Sequence, residues 1–414
     1  MTSFQSDQVN PLGGSGTDGS MLSGQVIGLW HPRRPLLRGG CNSSRLPPFE
    51  QTGSLMSNTD HDASAEGFQA LLIVSFGGPE QPSDVRPFLE NVTRGRGVPP
   101  ERLAEVEQNY LAFGGRSPIN DQVRALIEAV RAELDRRGRT GLPIYWGNRN
   151  WHPFLTDTLA QMAADGVGRA AAFVTSAYSS YSGCRQYLEN IEQARRPLGV
   201  SAPEIDKLRV YFDHPGFLDP MVERTQQALS ELDRRRPGTA AHLLFCAHSV
   251  PLSAANSCAY QDQLAAAAGI ITSGLDQPVT SEIVFQSRSG PPQVPWLEPD
   301  VGERLTQLAA EGVRRVVLVP LGFISDHLEV VYDLDTVAIP LAAGLGIEAV
   351  RAATVGTDAR FVALVVDLIE EREAARRHEA DPTAPAPLRP ARSSLGVWPD
   401  RCATDCCPAP SRRP

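Results

Sequence analysis

Apolar runs of strand length recur between residues 70 and 350: Ala70–Phe76, Pro143–Trp146, Ala170–Thr175, Leu208–Phe212, His242–Ala247, Glu282–Gln286, Arg315–Pro320 and Ile347–Val350. Most of the segments between them carry apolar residues at helical spacing, as in Gln122–Arg136 (QVRALIEAVRAELDR) and Val301–Glu311 (VGERLTQLAAE). Near-continuous apolar strands alternating with amphipathic helices predict parallel sheets covered on both faces. The runs fall into two sets of four, divided near Asp213–Arg236. In each set the third run follows the same phrase, Asp165-Gly166-Val167 in one and Glu311-Gly312-Val313 in the other. The glycine suits a helix C-cap before the next strand. The expected fold class is therefore α/β, with two similar doubly wound halves, each on a four-stranded parallel sheet. Ligands of such sheets bind beyond the carboxyl ends of the strands.

The chain ends read differently. Residues 1–67, rich in Gly, Ser, Pro and Asn and without periodicity, are expected to form a disordered leader. From about residue 378, prolines stand at 382, 385, 387, 390, 399, 408, 410 and 414, a spacing that neither helix nor sheet survives. The expected division is a first domain over 68–205, a second over 206–377 and a cysteine-bearing tail over 378–414. The net charge of −9 argues against a nucleic-acid partner. No apolar run approaches the ~20 residues of a membrane helix, so no stable membrane insertion is expected. The seven cysteines are odd in number and follow no secretion signal, which favours a reducing cytoplasm and metal over disulfides.

Candidate chemistry gathers after the strands of the second set. His248 stands in Ala247-His248-Ser249-Val250-Pro251, a turn rigid enough to fix an imidazole as base or metal ligand. After the seventh run comes Asp326-His327-Leu328-Glu329. Carboxylates favour a helix N-terminus, and that is the plain reading. In a helix starting there, however, Glu329, Asp333 and Thr336 fall at i, i+4 and i+7, on one face. His248 with Glu329 would join a nitrogen base to oxygen ligands, suited to transient binding of a borderline divalent metal. No Gly-x-Gly-x-x-Gly follows a strand, and neither a P-loop nor a Gly-x-Ser-x-Gly elbow is present. In the tail, Cys402, Cys406 and Cys407 supply three thiolates within six residues. Zinc and an iron–sulfur cluster both accept four. Cys184, just past the third run, is the candidate fourth, while Cys246 and Cys258 read as buried or incidental thiols.

Five phrases, LLIVSFGGP, YLAFGGRSPIN, CAHSVP, FQSRSGPPQVPWLEPD and VPLGFISDHLEVVYDLD, resemble those of ferrochelatases in the same order over residues 68–375. The resemblance implies two Rossmann-like, chelatase-like halves with a porphyrin cleft between them, and insertion of Fe²⁺ into that porphyrin. It makes His248 the metal-site histidine and Glu329 its partner carboxylate, with His327, Asp333 and Asp335 as polar neighbours. Ser117 in GGRSP and Tyr187 in CRQYLEN match substrate-contacting positions. Arg94 and Arg96 in TRGRG match a basic segment near the porphyrin carboxylates. Phe76 stands where many Gram-positive relatives have tyrosine. ENVTRGRG, GNRNW and SRSGPPQVPWLEPDV resemble the actinobacterial branch, which implies coproporphyrin III as substrate and coprohaem as product. The other readings are protoporphyrin IX as substrate, or a non-catalytic haem- or iron-binding sensor on the same fold. Some members carry a [2Fe–2S] cluster held by one internal and three C-terminal cysteines, which implies Cys184, Cys402, Cys406 and Cys407 here. The resemblance further implies a monomer, and a transient contact with the next haem-pathway enzyme is an added expectation.

Metal entry expels two pyrrole protons, and bending the macrocycle exposes the nitrogen lone pairs. His248 is expected to accept a proton or deliver iron, and Glu329 to ligate iron or relay protons. Either role requires a neutral imidazole, so activity should fall below a pH of ~6.5.

Overall fold

A computed structural model describes residues 67–95, 97–238, 241–290 and 293–409. The expected leader and Cys41 lie outside them, apart from Gly67. The strands are β1 (Ala70–Ser75), β2 (Ile144–Asn148), β3 (Arg169–Val174), β4 (Glu204–Lys207), β5 (His242–His248), β6 (Thr280–Gln286), β7 (Arg315–Val319) and β8 (Glu348–Arg351). The helices of the first half are α1 (Pro82–Thr93), α2 (Pro100–Ala112), α3 (Ile119–Arg136), α4 (Leu155–Ala164) and α5 (Gln186–Arg195). Those after β4 are α6 (Pro215–Arg235), α7 (Leu252–Ala255), α8 (Tyr260–Ser273), α9 (Val301–Ala310), α10 (Leu328–Val330), α11 (Ile339–Gly344) and α12 (Ala359–Ala380). All sheet pairings are parallel, and the two four-stranded sheets share one topology, β2-β1-β3-β4 and β6-β5-β7-β8. The expected α/β class and the two repeated halves are what the chain forms.

The repeated phrases behave alike. Gly166 and Gly312 both take positive φ, at 77° and 86°. Val167 N–H donates back to the Met162 carbonyl and Val313 N–H to the Leu308 carbonyl, each at 2.9 Å. That closes α4 and α9 with the same left-handed cap, which an L-residue with a Cβ disfavours.

One strand lies elsewhere than the apolar pattern predicts. The run Leu208–Phe212 is buried, yet the strand is the preceding Glu204–Lys207. β4 is an edge strand, and its carboxylates are taken up by Arg169, Arg372 and Arg376. The apolar run leaves the sheet after one bond from Leu208 N–H to the Ala172 carbonyl. It then fills the core, with Tyr211 stacked on Phe173 at 5.0 Å between ring centres. Burial rather than pairing selected those residues, and periodicity cannot tell the two apart.

A single core joins the halves. Leu71 and Ile73 of β1, Leu243 and Phe245 of β5, and the faces of α3, α6 and α12 share one apolar cluster. Helix α12 packs against α3 of the first half and α6 of the second, so it is buried nearly all round. Beyond Ala380 no helix or strand is formed among the described residues, as the prolines require. The tail is nonetheless docked. Trp398 meets Phe212 edge-on at 6.0 Å, and Ser393 Oγ donates to Asp213 at 2.7 Å. Arg209, wholly buried, holds Glu371 by two bonds of 2.7 and 3.0 Å and the Pro390 carbonyl by a third of 3.0 Å. No described helix is long and apolar enough to cross a membrane.

Breaking that buried pair leaves an uncompensated charge. Arg209→Leu should lower unfolding free energy by about 3–5 kcal/mol in urea titration. The double variant Arg209→Leu/Glu371→Leu should recover most of it. A double variant as unstable as the single would refute the argument.

Candidate active site

His248 is the last residue of β5, at the carboxyl edge of the second sheet. Its Nδ1 lies 2.5 Å from the Ser249 carbonyl oxygen. A carbonyl only accepts, so Nδ1 carries a proton, and in the neutral ring it is Nε2 that presents a lone pair. Nε2 faces Glu329 Oε2 at 3.7 Å. The turn below the ring is pinned: Ser249 N–H donates to the Gln286 carbonyl at 2.8 Å and Ser249 Oγ to the Leu297 carbonyl at 2.9 Å. The Tyr260 hydroxyl donates to the carbonyl of His248 at 3.0 Å.

Glu329 sits in the first turn of α10, capped by His327, whose Nδ1 accepts the Glu329 N–H at 3.2 Å. Burial pushes the His327 imidazole down and keeps it neutral as a cap, against a smaller opposing pull from Glu329. The expected α-helical row is modified, because Val331–Ala338 is a π-helix with wider turns. Asp333 still answers Glu329. It accepts from Ser287 Oγ and, at 3.3 Å, from Gln286 Nε2. Burial pushes its carboxyl up to about 6, the Ser287 hydrogen bond opposes this, and the Glu329 charge adds to the rise. Thr336 turns to solvent. Asp335 faces the other way and grips Arg351 of β8 at 2.6 Å, and the same guanidinium holds Asp326 at 2.9 Å. Asp335 is thus placed as an anchor of the π-helix, not beside Glu329.

The first half supplies the opposite wall. Phe113, just after α2, meets the Tyr332 ring at 6.2 Å. Burial, and then the Glu329 charge, push the Tyr110 hydroxyl well up. The Gln122 side chain of α3 exchanges two 2.8 Å bonds with the backbone of Asp326, one to its N–H and one to its carbonyl. Beside this bridge is a cavity of about 360 Å³ lined by Ser75, Thr175, Asp326, Thr354 and Asp358. His248 and Glu329 are not in its lining.

Other expected positions are placed as follows. Ser117 is buried, its backbone N–H donating to the Pro79 carbonyl at 2.8 Å. Tyr187 is buried in the outer core of the first half with the Arg149 guanidinium 4.4 Å above its ring. Arg94 is exposed on the turn after α1, and Arg96 lies outside the described residues. Neither buried side chain is brought to His248. Arg149, which also lies over the Phe76 ring at 5.8 Å, was not singled out by the sequence, nor were Tyr110, Phe113 and Ser287. Ser287 alone carries a signal of another kind: a non-glycine residue at φ 61°.

A second constellation lies at the tail. Cys406 and Cys407 have their sulfurs 3.6 Å apart, and the Cys406 N–H donates to the Ala403 carbonyl at 3.0 Å. Cys184 sits on a π-turn, Tyr181–Arg185, and Arg185 donates to the Thr404 carbonyl. Among the described residues, no group of three or more His, Cys, Asp or Glu side chains is arranged around a single ion position.

Two α/β halves repeat one sheet topology, and an imidazole faces a carboxylate at the carboxyl edge of the second sheet. The profile of the ferrochelatase family matches residues 68–373. A coproporphyrin III ferrochelatase of Frankia alni is 54% identical over 363 residues, covering 84% of this chain and 89% of its own. One of Streptomyces coelicolor is 50% identical over 371 residues, covering 84% and 96%. A ferrochelatase of Rhodopirellula baltica is 45% identical over 348 residues, covering 84% and 95%. The chain belongs to the ferrochelatase family and is a metal-inserting enzyme.

Two predictions rest on this geometry. A Cβ at Gly322 would stand 2.8 Å from Ala247 Cα, so Gly322→Ala must shift β5 beside His248. The insertion rate should fall about 10- to 100-fold while porphyrin still binds. A rate unchanged within twofold would show the register is not limiting. Asp333, with a carboxyl pushed up to about 6, is an anion above that pH and neutral below it. Its charge attracts Fe²⁺ only at the higher pH, so KM for Fe²⁺ should rise as pH drops through about 6. Asp333→Asn should show a raised KM at about pH 7 and a flatter dependence. An identical pH dependence in the variant would reject this assignment.

Proposed function

We infer that the protein inserts Fe²⁺ into coproporphyrin III, giving coprohaem and two protons. The observation that carries this reading is the His248–Glu329 pair at 3.7 Å, with the imidazole lone pair on the Nε2 side. The relatives named for this activity, 50–54% identical, support the substrate. The chemistry follows from the pair. A pyrrole N–H gives its proton to His248 Nε2. The Ser249 carbonyl already holds Nδ1–H, and Glu329 stabilises the resulting imidazolium. The proton passes to the carboxylates of Glu329 and Asp333 and so to solvent, restoring the neutral ring for the second pyrrole proton. Glu329 then offers the entering Fe²⁺ a hard oxygen beside a borderline nitrogen, a weak combination suited to a metal that must leave for the porphyrin. Tyr110, Phe113 and Tyr332 would flank the macrocycle, and Arg94 and Arg96 would meet its propionates. Ser117 and Tyr187 would act from beneath the wall, as supports for residues that touch substrate.

For the tail we propose a [2Fe–2S] cluster on Cys184, Cys402, Cys406 and Cys407. The donor set fits, since soft thiolates are the ligands such a cluster takes. The Cys406 thiol is held well below its ordinary range, first by hydrogen bonding from Cys402, then from Cys407, with Arg185 and Lys207 adding positive charge. When bound, the cluster would supply an iron- and redox-sensitive cross-link rather than a step of insertion. The reading extends to a cytoplasmic monomer with domains over 68–205 and 206–377, passing its product by transient contact to the enzyme that decarboxylates it.

The test is an anaerobic insertion assay with Fe²⁺ and either coproporphyrin III or protoporphyrin IX, following loss of free-porphyrin fluorescence. Preference for coproporphyrin is expected, and His248→Ala should abolish insertion but retain porphyrin binding. Preference for protoporphyrin would overturn the substrate. Binding without insertion in the unaltered protein would make it a sensor.

A further inference from the structure

His327, Glu329 and Asp333 all ride on one short stretch, residues 326–335, whose own helical bonds hold it poorly. α10 has three residues and the π-helix after it eight. A helix of three residues is below the length that sustains itself, and π-turns are rare and mostly single. The stretch buries Val330 and Leu334 in the apolar cluster of the second half. Such packing keeps the helix on the sheet, yet non-directional contacts set its position along its own axis only loosely.

The axial position is held from both ends by one guanidinium. Arg351 ends β8, in register with Leu318 of β7, and the next residue, Ala352, donates its N–H to the Leu318 carbonyl at 2.9 Å. Nε and Nη2 of Arg351 donate to the two carboxylate oxygens of Asp335 at 2.6 and 3.0 Å. Nη1 donates to Asp326 Oδ1 at 2.9 Å and to the Ala352 carbonyl at 3.3 Å. All three nitrogens are engaged. Asp326 is also the residue whose backbone Gln122 of the first half grips through two bonds of 2.8 Å. Both ends of the stretch are thus tied to the second sheet, and one of them to the first half as well.

We propose that Arg351 is a positioning residue for metal insertion: by spanning Asp326 and Asp335 it sets where Glu329 stands against His248. It acts through the stretch it closes. The proposal rests on the reading of Glu329 as a participant in insertion. The clamp needs a planar fork. A lysine ammonium keeps the charge, but a single point does not grip one carboxylate by two parallel bonds while holding another. Asp326 and Asp335 keep 30% and 32% of their side chains exposed, so neither is stranded in the interior when the guanidinium is lost, and the fold survives.

The experiment is a double-mutant cycle in the full chain, with Fe²⁺ and coproporphyrin III, or protoporphyrin IX should the unaltered chain prefer it. kcat and porphyrin KM are measured for Arg351→Lys, Glu329→Gln and the two together. Arg351→Lys should lower kcat about 10- to 100-fold and leave porphyrin KM within about twofold, as a small misplacement of a reacting group does. Glu329→Gln alone should lower kcat at least about 100-fold. The double variant should match Glu329→Gln within about fivefold, because an absent carboxylate is not misplaced further. If the two losses multiply instead, Arg351 does not act through Glu329 and the proposal fails, while the reading of Glu329 stands. A lower melting temperature with unchanged kcat in Arg351→Lys also overturns it and leaves Arg351 a stabilising residue only. If Glu329→Gln inserts at the unaltered rate, the reading of Glu329 falls and the proposal with it. Should Arg351→Lys not fold, Asp335→Asn, which removes the two-bond grip, takes its place in the same cycle with the same outcomes.

Discussion

A parallel sheet covered on both faces has one place for polar chemistry, the edge where its strands end. That constraint organises the molecule. β5 is paired on both sides, and His248 lies level with Gln286 of β6 at the end of the ladder. The Gln286 amide reaches past it to the Glu329 carbonyl at 3.2 Å and to Asp333. The ladder that fixes His248 thus also fixes the element carrying its partner. A one-residue slip of β5 would send the imidazole to the opposite face and bury it. The position of His248 is set by sheet register, a stiffer determinant than any loop.

The same constraint explains why the halves stay together. Each sheet needs helices on both faces, and α12 serves both by lying between α3 and α6. Polar bridges repeat the connection nearer the cleft. Gln263 bonds both the N–H and the hydroxyl of Ser179, and the Tyr178 hydroxyl donates to the Leu321 carbonyl at 3.1 Å. Buried bonds between halves leave little freedom for hinge motion, so in the proposed reaction the macrocycle would conform to the walls rather than the walls to it. Rigid walls are what distortion of a planar substrate requires.

Much of this was legible in the sequence because the signals were of two robust kinds. Apolar continuity marked β1, β3, β5 and β7, which are buried on both faces, and the repeated Gly-Val phrase marked equivalent helix ends. β4 was misplaced because an edge strand can be polar while the apolar residues after it find burial elsewhere. That His248 and Glu329 come together was legible because their phrases follow strands β5 and β7. Tyr110 and Phe113 were not, since an aromatic on a half-exposed helix looks like core until the opposite wall is known. Asp335 shows the converse. The family resemblance grouped it with Glu329, yet at six residues' separation it falls on another face of the helix and pairs with Arg351.

The electrostatics of the site follow from its asymmetry. His248 keeps about a third of its side chain exposed and Glu329 about half, whereas Asp333 lies deeper with a raised carboxyl. In the proposed reaction a proton taken at Nε2 would meet Glu329 first and Asp333 next, and Asp333 holds a proton more readily than an ordinary aspartate. Were both carboxylates fully exposed, neither would retain a proton near neutral pH, and the path would have no acceptor beyond the imidazole. Were both buried and unpaired, their charge would be lost and the metal would have no oxygen ligand. The Ser287 hydroxyl keeps Asp333 between these limits: it stabilises the anion enough to prevent permanent protonation while burial keeps proton affinity high. The left-handed backbone at Ser287 is the local strain by which that hydroxyl is brought to the carboxylate.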